Sequence, residues 1–543
     1  MIELILVLLG LYVFFVYIVP FCAAIFAIVA AIAGVIAVAV GVFVSVKNYF
    51  GAIFDNINFL NWTYEKGDEP ARRSYFFGPG YAQLGATISD AFSRNAVSAE
   101  DMSVTADDIG DSSDGFLGFF LKIIGFLYKV LGYICIFGVG TALCVALALV
   151  HGFITTAVMI LTYIVFTVVW LIDRIYLLKN KIRSICPVCK DRFLIPYFVC
   201  PDCGRIHKKL VPGPYGIWHH TCECGKKLPS TFLNNRSSLE ALCANCHSPL
   251  VASDARPVVF QLIGGTRSGK TVYLSAFFHE LNKRINSNPT LNAYVVDEFR
   301  PYFDELEEWY NGANCAATTQ MNSQMYPLMI ESAGTKRQFS VFDIAGEMFD
   351  GVSADSEIVQ QQFHYCDGLL FLVDPFSNGV LRNGKEAASE DISNFSDMPI
   401  ENVTSNFINY LIRTGHAKAN VRCEIPIAVL IAKSDIKEVR RAIGPAKIKS
   451  IMRNEPDKYA TVQDARDGEC RQFLIDIGMG AAVNDLETQF TNLHYFPVSA
   501  QGHESDGSAF EPWGIMEAID WILPVADKEL AAQICESTTQ LVP

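Results

Sequence analysis

The stretch Gly264-Gly-Thr-Arg-Ser-Gly-Lys-Thr271 reads G-x-x-x-x-G-K-T. The residues before it, PVVFQLI (Pro257–Ile263), are short, apolar and rich in β-branched side chains, which predicts a buried strand. The residues after it, TVYLSAFFHELNKR, carry a helical period. A strand, this loop and a helix together make the context of a phosphate-binding loop. There the backbone N–H groups of Gly264, Gly265, Thr266, Arg267, Ser268 and Gly269 face phosphate oxygens, helped by the helix N-terminus. Lys270 is expected to reach the β- and γ-phosphates, and the Thr271 hydroxyl to ligate Mg²⁺. Arg267 has two readings, a phosphate contact or an exposed side chain. The loop alone does not choose between adenine and guanine.

Four later motifs bear on that choice, with one further strand among them. QFSVFDIAGE (Gln338–Glu347) is a strand running into D-x-x-G, which places Asp343 to hold Mg²⁺ through water and Gly346 to sense the γ-phosphate. Upstream, AATTQ precedes the strand YPLMIES, with Thr319 the preferred Mg²⁺ ligand and Thr318 the second choice. CDGLLFLVDP (Cys366–Pro375) reads as another buried strand. IPIAVLIAKSD (Ile425–Asp435) ends where GTPases carry N/T-K-x-D. Asp435 in that position accepts two hydrogen bonds from the guanine ring N–H and amino group, a donor pair adenine lacks, and the Lys433 stem packs on the base. LHYFPVSAQ (Leu493–Gln501) brings Ser499 and Ala500 to a turn that offers a backbone N–H to the guanine carbonyl.

The order of these five elements resembles the TRAFAC clade of P-loop GTPases. With GPYGIWHHTCECGKKLP and LCANCHSPL joined to them, the chain resembles the second class of bacterial double-GTPases, over roughly Cys186–Pro524. That resemblance implies a GTP/GDP-dependent switch in a bacterial signalling or conflict system. It also implies a GTPase using GTP and Mg²⁺, a protein partner and pairing into a homodimer, with Lys270, Gly346 and Glu347 as the catalytic set. The chain departs from the pattern twice. Ala432 replaces the usual Asn or Thr, so its side chain cannot tie the base loop to the P-loop. Glu347 stands where many GTPases have Gln, so intrinsic hydrolysis is expected to be slow. Two alternatives stay open: a P-loop ATPase, and a zinc scaffold that binds nucleotide without hydrolysing it.

The rest of the chain explains the setting. Its 543 residues exceed one core, and its net charge of −14 argues against binding nucleic acid as a whole. Between residues 2 and 46 only Glu3 is charged. That is about twice the length of one span, and Pro20 suggests a hairpin over 1–46. Residues 47–115, with the acidic AEDMSVTADDIGDSSDG, are expected to form a partly disordered cytoplasmic loop. Residues 116–180 predict an amphipathic interfacial helix followed by a second hairpin turning at His151-Gly152. Lys47, Lys122, Lys129, Arg174, Lys179, Lys181 and Arg183 put the soluble parts on the cytoplasmic side of a multi-pass bacterial inner-membrane protein.

Eight of the 16 cysteines form close pairs in 184–250: Cys186/Cys189, Cys200/Cys203, Cys222/Cys224 and Cys243/Cys246. Two such turns close one tetrahedral Zn²⁺ site, so four predict two structural zinc ions in a double zinc ribbon. His207, His219, His220 and His247 are then not needed as ligands. Consecutive pairing gives ribbons in series; crossed pairing gives an interleaved unit. Consecutive ribbons are the expectation. The expected fold is therefore multi-domain: α-helical transmembrane hairpins, four-cysteine zinc ribbons, an α/β P-loop GTPase domain with a mostly parallel sheet over 256–525, and a tail over 526–543.

Overall fold

The computed structural model describes residues 1–56, 69–112, 115–312, 324–332, 335–344, 366–377, 379–387, 394–413, 415, 421–503 and 508–535. Two compact units divide the chain: Met1–Asp173 with Leu210–Asn234, and Arg174–Lys209 with Asn235–Pro543.

The first unit is built on long helices. Helix α1 (Ile2–Val13) passes through a π-helical turn (Phe14–Ile18) into α2 (Val19–Asn56) without a break. The hairpin expected at Pro20 is therefore absent. The π turn lies directly ahead of Pro20, where the missing N–H and the ring would otherwise clash with the preceding turn; a wider turn relieves both. The second apolar block behaves alike. Helix α4 (Gly115–Tyr133), a π turn (Ile134–Gly140) and α5 (Thr141–Lys179) run on through His151-Gly152, since one interior glycine costs only about 1 kcal/mol. Among the described residues, three windows are long and apolar enough to cross a membrane: Ile2–Ile25, Gly34–Asn56 and Leu121–Lys179.

Helix α3 (Pro79–Asp111) runs on into the acidic stretch from Ala99 whose composition suggests disorder. Its buried residues Gln83, Thr87, Ala91, Asn95 and Ala99 recur every four positions, so one narrow stripe of small and amide side chains faces its neighbours. Asn95 ties that stripe down. Its Oδ1 accepts from Asn48 Nδ2 at 2.9 Å, and its amide donates to Cys144 Sγ at 3.1 Å. Tertiary packing, not propensity, makes this helix.

The second unit holds a seven-stranded sheet. Its strands are β1 (Arg256–Gly264), β2 (Leu291–Tyr294), β3 (Gln324–Ser332), β4 (Thr335–Asp343), β5 (Gly368–Val373), β6 (Ile427–Ile431) and β7 (Leu493–Pro497). The order is β2-β3-β4-β1-β5-β6-β7. The first two pairings are antiparallel, and the other four are parallel. All six residues of β5 and all five of β6 are buried, as expected of strands covered on both faces. One face packs on α6 (Lys270–Ser287) and the helix Glu517–Ala526, through Phe260, Phe277, Leu281 and Ile522. The other packs on the helices Ile400–Arg413, Val462–Asp476 and Gly480–Gln489 through Phe371, Phe407, Leu474 and Leu486.

Where a loose tail or short helix is expected, the helix Lys528–Ile534 buries Leu530, Ala531 and Ile534. Asp527 caps it, accepting from the N–H groups of Glu529 and Leu530 at 3.1 Å each. The same wholly buried carboxylate pairs with Arg337 at 2.8 Å and Arg256 at 3.2 Å. Burial pushes the Asp527 carboxyl up, but the Arg337 hydrogen bond, the Leu530 N–H and the two guanidinium charges outweigh it and hold it below its ordinary value. A depressed folded-state value stabilises the fold above the unfolded pKa of about 3.9 and loses that contribution as pH falls through the folded one. Asp527→Ala is expected to cost about 3 kcal/mol at pH 7, because it removes the buried one of the two carboxylates paired with the buried Arg337. Asp527→Asn should flatten the acid limb of stability. Thermal unfolding of the full chain in detergent between pH 3 and 7 measures both.

Candidate functional site

The parallel strands deliver the motif residues to one edge. Gly264 ends β1, Asp343 ends β4 beside Leu262, and Ala432 follows β6. Ser499 lies just past β7. In parallel α/β sheets this carboxyl edge is where ligands sit.

The loop after β1 turns into α6 through Gly269, whose φ of 97° is open to glycine. Lys270 folds its amine back across the loop, 2.9 Å from the Gly264 carbonyl and 3.0 Å from that of Gly265. Ser268 is buried and donates to the Gly265 carbonyl at 2.8 Å. Thr266 is half-buried, and Thr271 stands in the first turn of α6. Arg267 is exposed and pairs with Asp397 at 3.1 Å.

Asp343 faces this loop. Its Oδ1 is buried and has no hydrogen-bond partner among the described residues. Burial pushes its carboxyl up to about 6, against the pull of the Lys270 charge. A buried carboxylate oxygen with no donor, at the end of the sheet where Thr271 stands in the first turn of α6, fits a hard divalent cation such as Mg²⁺. Thr318, Thr319, Gly346 and Glu347 lie outside the described residues.

At the other end of the edge, Asp435 Oδ1 accepts from Ser499 Oγ at 2.7 Å, and the Gly502 N–H donates to that same hydroxyl at 2.9 Å. Ala500 packs beside them against the core. Ser434 donates to the Ile431 carbonyl at 2.9 Å, which closes the turn in which Lys433 takes a φ of 55°. The Lys433 amine lies 3.4 Å from the Arg267 carbonyl, so base loop and P-loop touch. It also pairs with Asp374 at 2.5 Å, a residue singled out by no motif. The sequence signal for Asp374 is slight: an acid closing the all-apolar run of a buried strand.

The thiols pair differently from the consecutive ribbons expected. Cys186 and Cys189 gather with Cys243 and Cys246, all four sulfurs within 4.8 Å of one another. The outer pairs of the series thus close on each other. The inner pairs, Cys200/Cys203 and Cys222/Cys224, supply the other four cysteines of the series. Short β pairings impose this order: Tyr197–Val199 bonds to both Ile206–His207 and Ala241–Leu242, which returns the fourth pair to the first. In the first group Cys186 and Cys246 sulfurs, and those of Cys189 and Cys243, are 3.5 Å apart. The edge of a ZnS₄ tetrahedron is about 3.8 Å for Zn–S bonds of about 2.3 Å. The N–H groups of Val188 and Cys189 point at Cys186 Sγ, and those of Asn245 and Cys246 at Cys243 Sγ, at 3.3–3.4 Å. Such donors favour the thiolate over the thiol. Each knuckle ends in a left-handed residue, Lys190 or His247. The donor set fits zinc.

The family model described as Double-GTPase 1 matches residues 261–406, from within β1 into the helix Ile400–Arg413. That match supports a P-loop GTPase domain of the double-GTPase type in this part of the chain. The motifs resemble the second class and the matching family model is the first, so the statement common to both is the double-GTPase type. Similar solved structures include Sup35 complexed with GMPPNP, 14% identical, with 46% of this chain and 38% of that chain covered and a TM-score of 0.20. Sup35 complexed with GDP is 13% identical, with 45% and 37% covered and a TM-score of 0.20. The LeoA bacterial dynamin GTPase from ETEC is 12% identical, with 51% and 35% covered and a TM-score of 0.24. The chain spans between 35% and 38% of the length of these proteins. No curated protein matches it in sequence.

Elemental analysis of the full chain purified without chelator is expected to give about two zinc per polypeptide. Replacing Cys186 and Cys243 by Ser should lower that to about one, and an unchanged content would remove the outer four thiols from the metal.

Proposed function

We propose that this chain is a membrane-anchored GTP-binding switch that hydrolyses GTP slowly at the cytoplasmic face. The observation that carries the guanine reading is the hydrogen bond from Ser499 to Asp435, with Lys433 beside the P-loop. That bond occupies one face of the Asp435 carboxylate and holds its plane, which is what an acceptor for the paired N–H donors of guanine needs. Ala500 would supply a backbone N–H to the guanine carbonyl.

On this reading the loop Gly264–Gly269 cradles the phosphates with its N–H groups, and Lys270 swings from the loop carbonyls to the β- and γ-phosphates. Thr271 and Asp343 would hold Mg²⁺, which neutralises phosphate charge when bound. Thr319 would join them, Gly346 would report the γ-phosphate, and Glu347 would orient water less well than glutamine, which makes turnover slow. The three apolar windows support a membrane anchor, and Lys181 and Arg183, just past the last of them, support a cytoplasmic soluble part. The bacterial inner membrane, a signalling or conflict role, a protein partner and a homodimer follow from the motif resemblance.

Ala432 favours a second reading, a zinc scaffold that binds nucleotide without turnover. Competition binding separates the two and tests the base. The full chain in detergent with Mg²⁺ is expected to prefer GTP and GDP over ATP by at least 100-fold. Asp435→Asn should shift that preference to xanthine nucleotides. Preference for ATP would sink the guanine reading. Phosphate release indistinguishable from a Lys270→Ala control would favour the scaffold.

A further inference from the structure

Ala432 lacks the side chain that usually ties the base loop down, yet the base loop is held. The tie comes from the neighbouring strand. Strands β5 and β6 run parallel with Val373 opposite Ile431, so Asp374 and Ala432 emerge side by side. The Ala432 N–H donates to the Val373 carbonyl at 2.9 Å. The Asp374 side chain is wholly buried. Its Oδ1 accepts from the Phe376 N–H at 3.0 Å. Its Oδ2 accepts from the Ser396 N–H at 2.8 Å and from Lys433 Nζ at 2.5 Å. Lys433 then donates to the Asn394 carbonyl at 2.7 Å, with its amine 4.9 Å above the Phe395 ring. Phe395 is itself stacked on Phe376 at 4.4 Å. The same segment reaches the P-loop, since a Cβ on Gly265 would lie 3.0 Å from Ser396 Oγ.

One carboxylate therefore gathers the end of β5, the segment 394–398 and the base loop, and Lys433 carries the link on to Arg267. An acid that served only to turn the chain after β5 would need no more than the Phe376 N–H. The bonds to Ser396 and Lys433 go beyond that. Charge-assisted bonds of this kind, out of solvent, are the strong ones.

We propose that Asp374 is the positioning residue of the guanine site: it holds Lys433 so that the lysine stem lies against the base, in place of the Asn or Thr missing at Ala432. The inference rests on the reading of Lys433 and Asp435 as the base contacts. Because Asp374 acts on the base side and not at the γ-phosphate, its loss should weaken GDP and GTP alike.

The test uses the full chain in detergent and fluorescent N-methylanthraniloyl GDP and GTP. Asp374→Ala is expected to weaken both by the same factor, about 10- to 100-fold, the loss of one charged hydrogen-bond set. Asp374→Asn, which keeps the shape, should lose less. Adding Ala432→Asn to Asp374→Ala should recover at least tenfold, while Ala432→Asn alone changes binding less than threefold. A purely structural acid would show no such rescue, and the Asp374→Asn pair carries the comparison if the alanine variant does not fold. Binding unchanged in both Asp374 variants, a loss confined to GTP, or no rescue would overturn the proposal while the guanine reading stands. A wild-type chain that does not distinguish GTP from ATP would overturn both.

Discussion

Gly264 has no room for a side chain: a Cβ there would lie 2.8 Å from Ser268 Oγ and 2.9 Å from the Leu372 carbonyl. The end of β1 is thereby pressed against β5, and the loop has to leave the sheet at its centre. Everything at the site follows from that departure. Parallel neighbours of β1 end at the same edge, so Asp343, Asp374, Lys433 and Ser499 arrive within reach of the loop although they are spread over more than 150 residues of chain. The antiparallel hairpin of β3 and β4 belongs to this logic. The hairpin brings β4 alongside β1 in the parallel sense and leaves Asp343 at the correct end.

Much of this was legible because the information is local. A strand followed by G-x-x-x-x-G-K-T, and an apolar run followed by A-K-S-D, name their own secondary structure and the end of the strand at which they sit. What was not legible depends on contacts between distant segments. The nesting of the cysteine pairs is decided by three short strands, Tyr197–Val199 among them, that no periodicity reveals. Asp374 has no motif, because its role exists only across the β5–β6 boundary. Pro20 reads as a turn, and it is a turn in most settings, but a five-residue π-helical stretch absorbs it here.

The segment 79–111 is the most instructive difference. From Ala99 on, its acidic and serine-rich composition is that of a chain with too little apolar surface to order itself. The surface it does bury is a stripe of small residues, where close approach of backbones replaces bulk. Asn48, Asn95 and Ser98 supply hydrogen bonds within that contact. Beside apolar helices, small and amide side chains are good packing material, whereas a composition scale made for water counts them as polar.

The first cysteine group is not a module hung beside the sheet. Ile185, one residue before Cys186, packs with Val259, Met325 and Phe342 of β1, β3 and β4. The Lys190 amine, at the end of the knuckle, lies 4.8 Å above the Phe342 ring. The residue it covers is the immediate neighbour of Asp343. A soluble fragment cut at Arg256, the first residue of β1, would therefore strip cover from three strands and wet the apolar patch beside Asp343. The natural edge of the nucleotide-binding part lies before Ser184, and the metal knuckle is inside it.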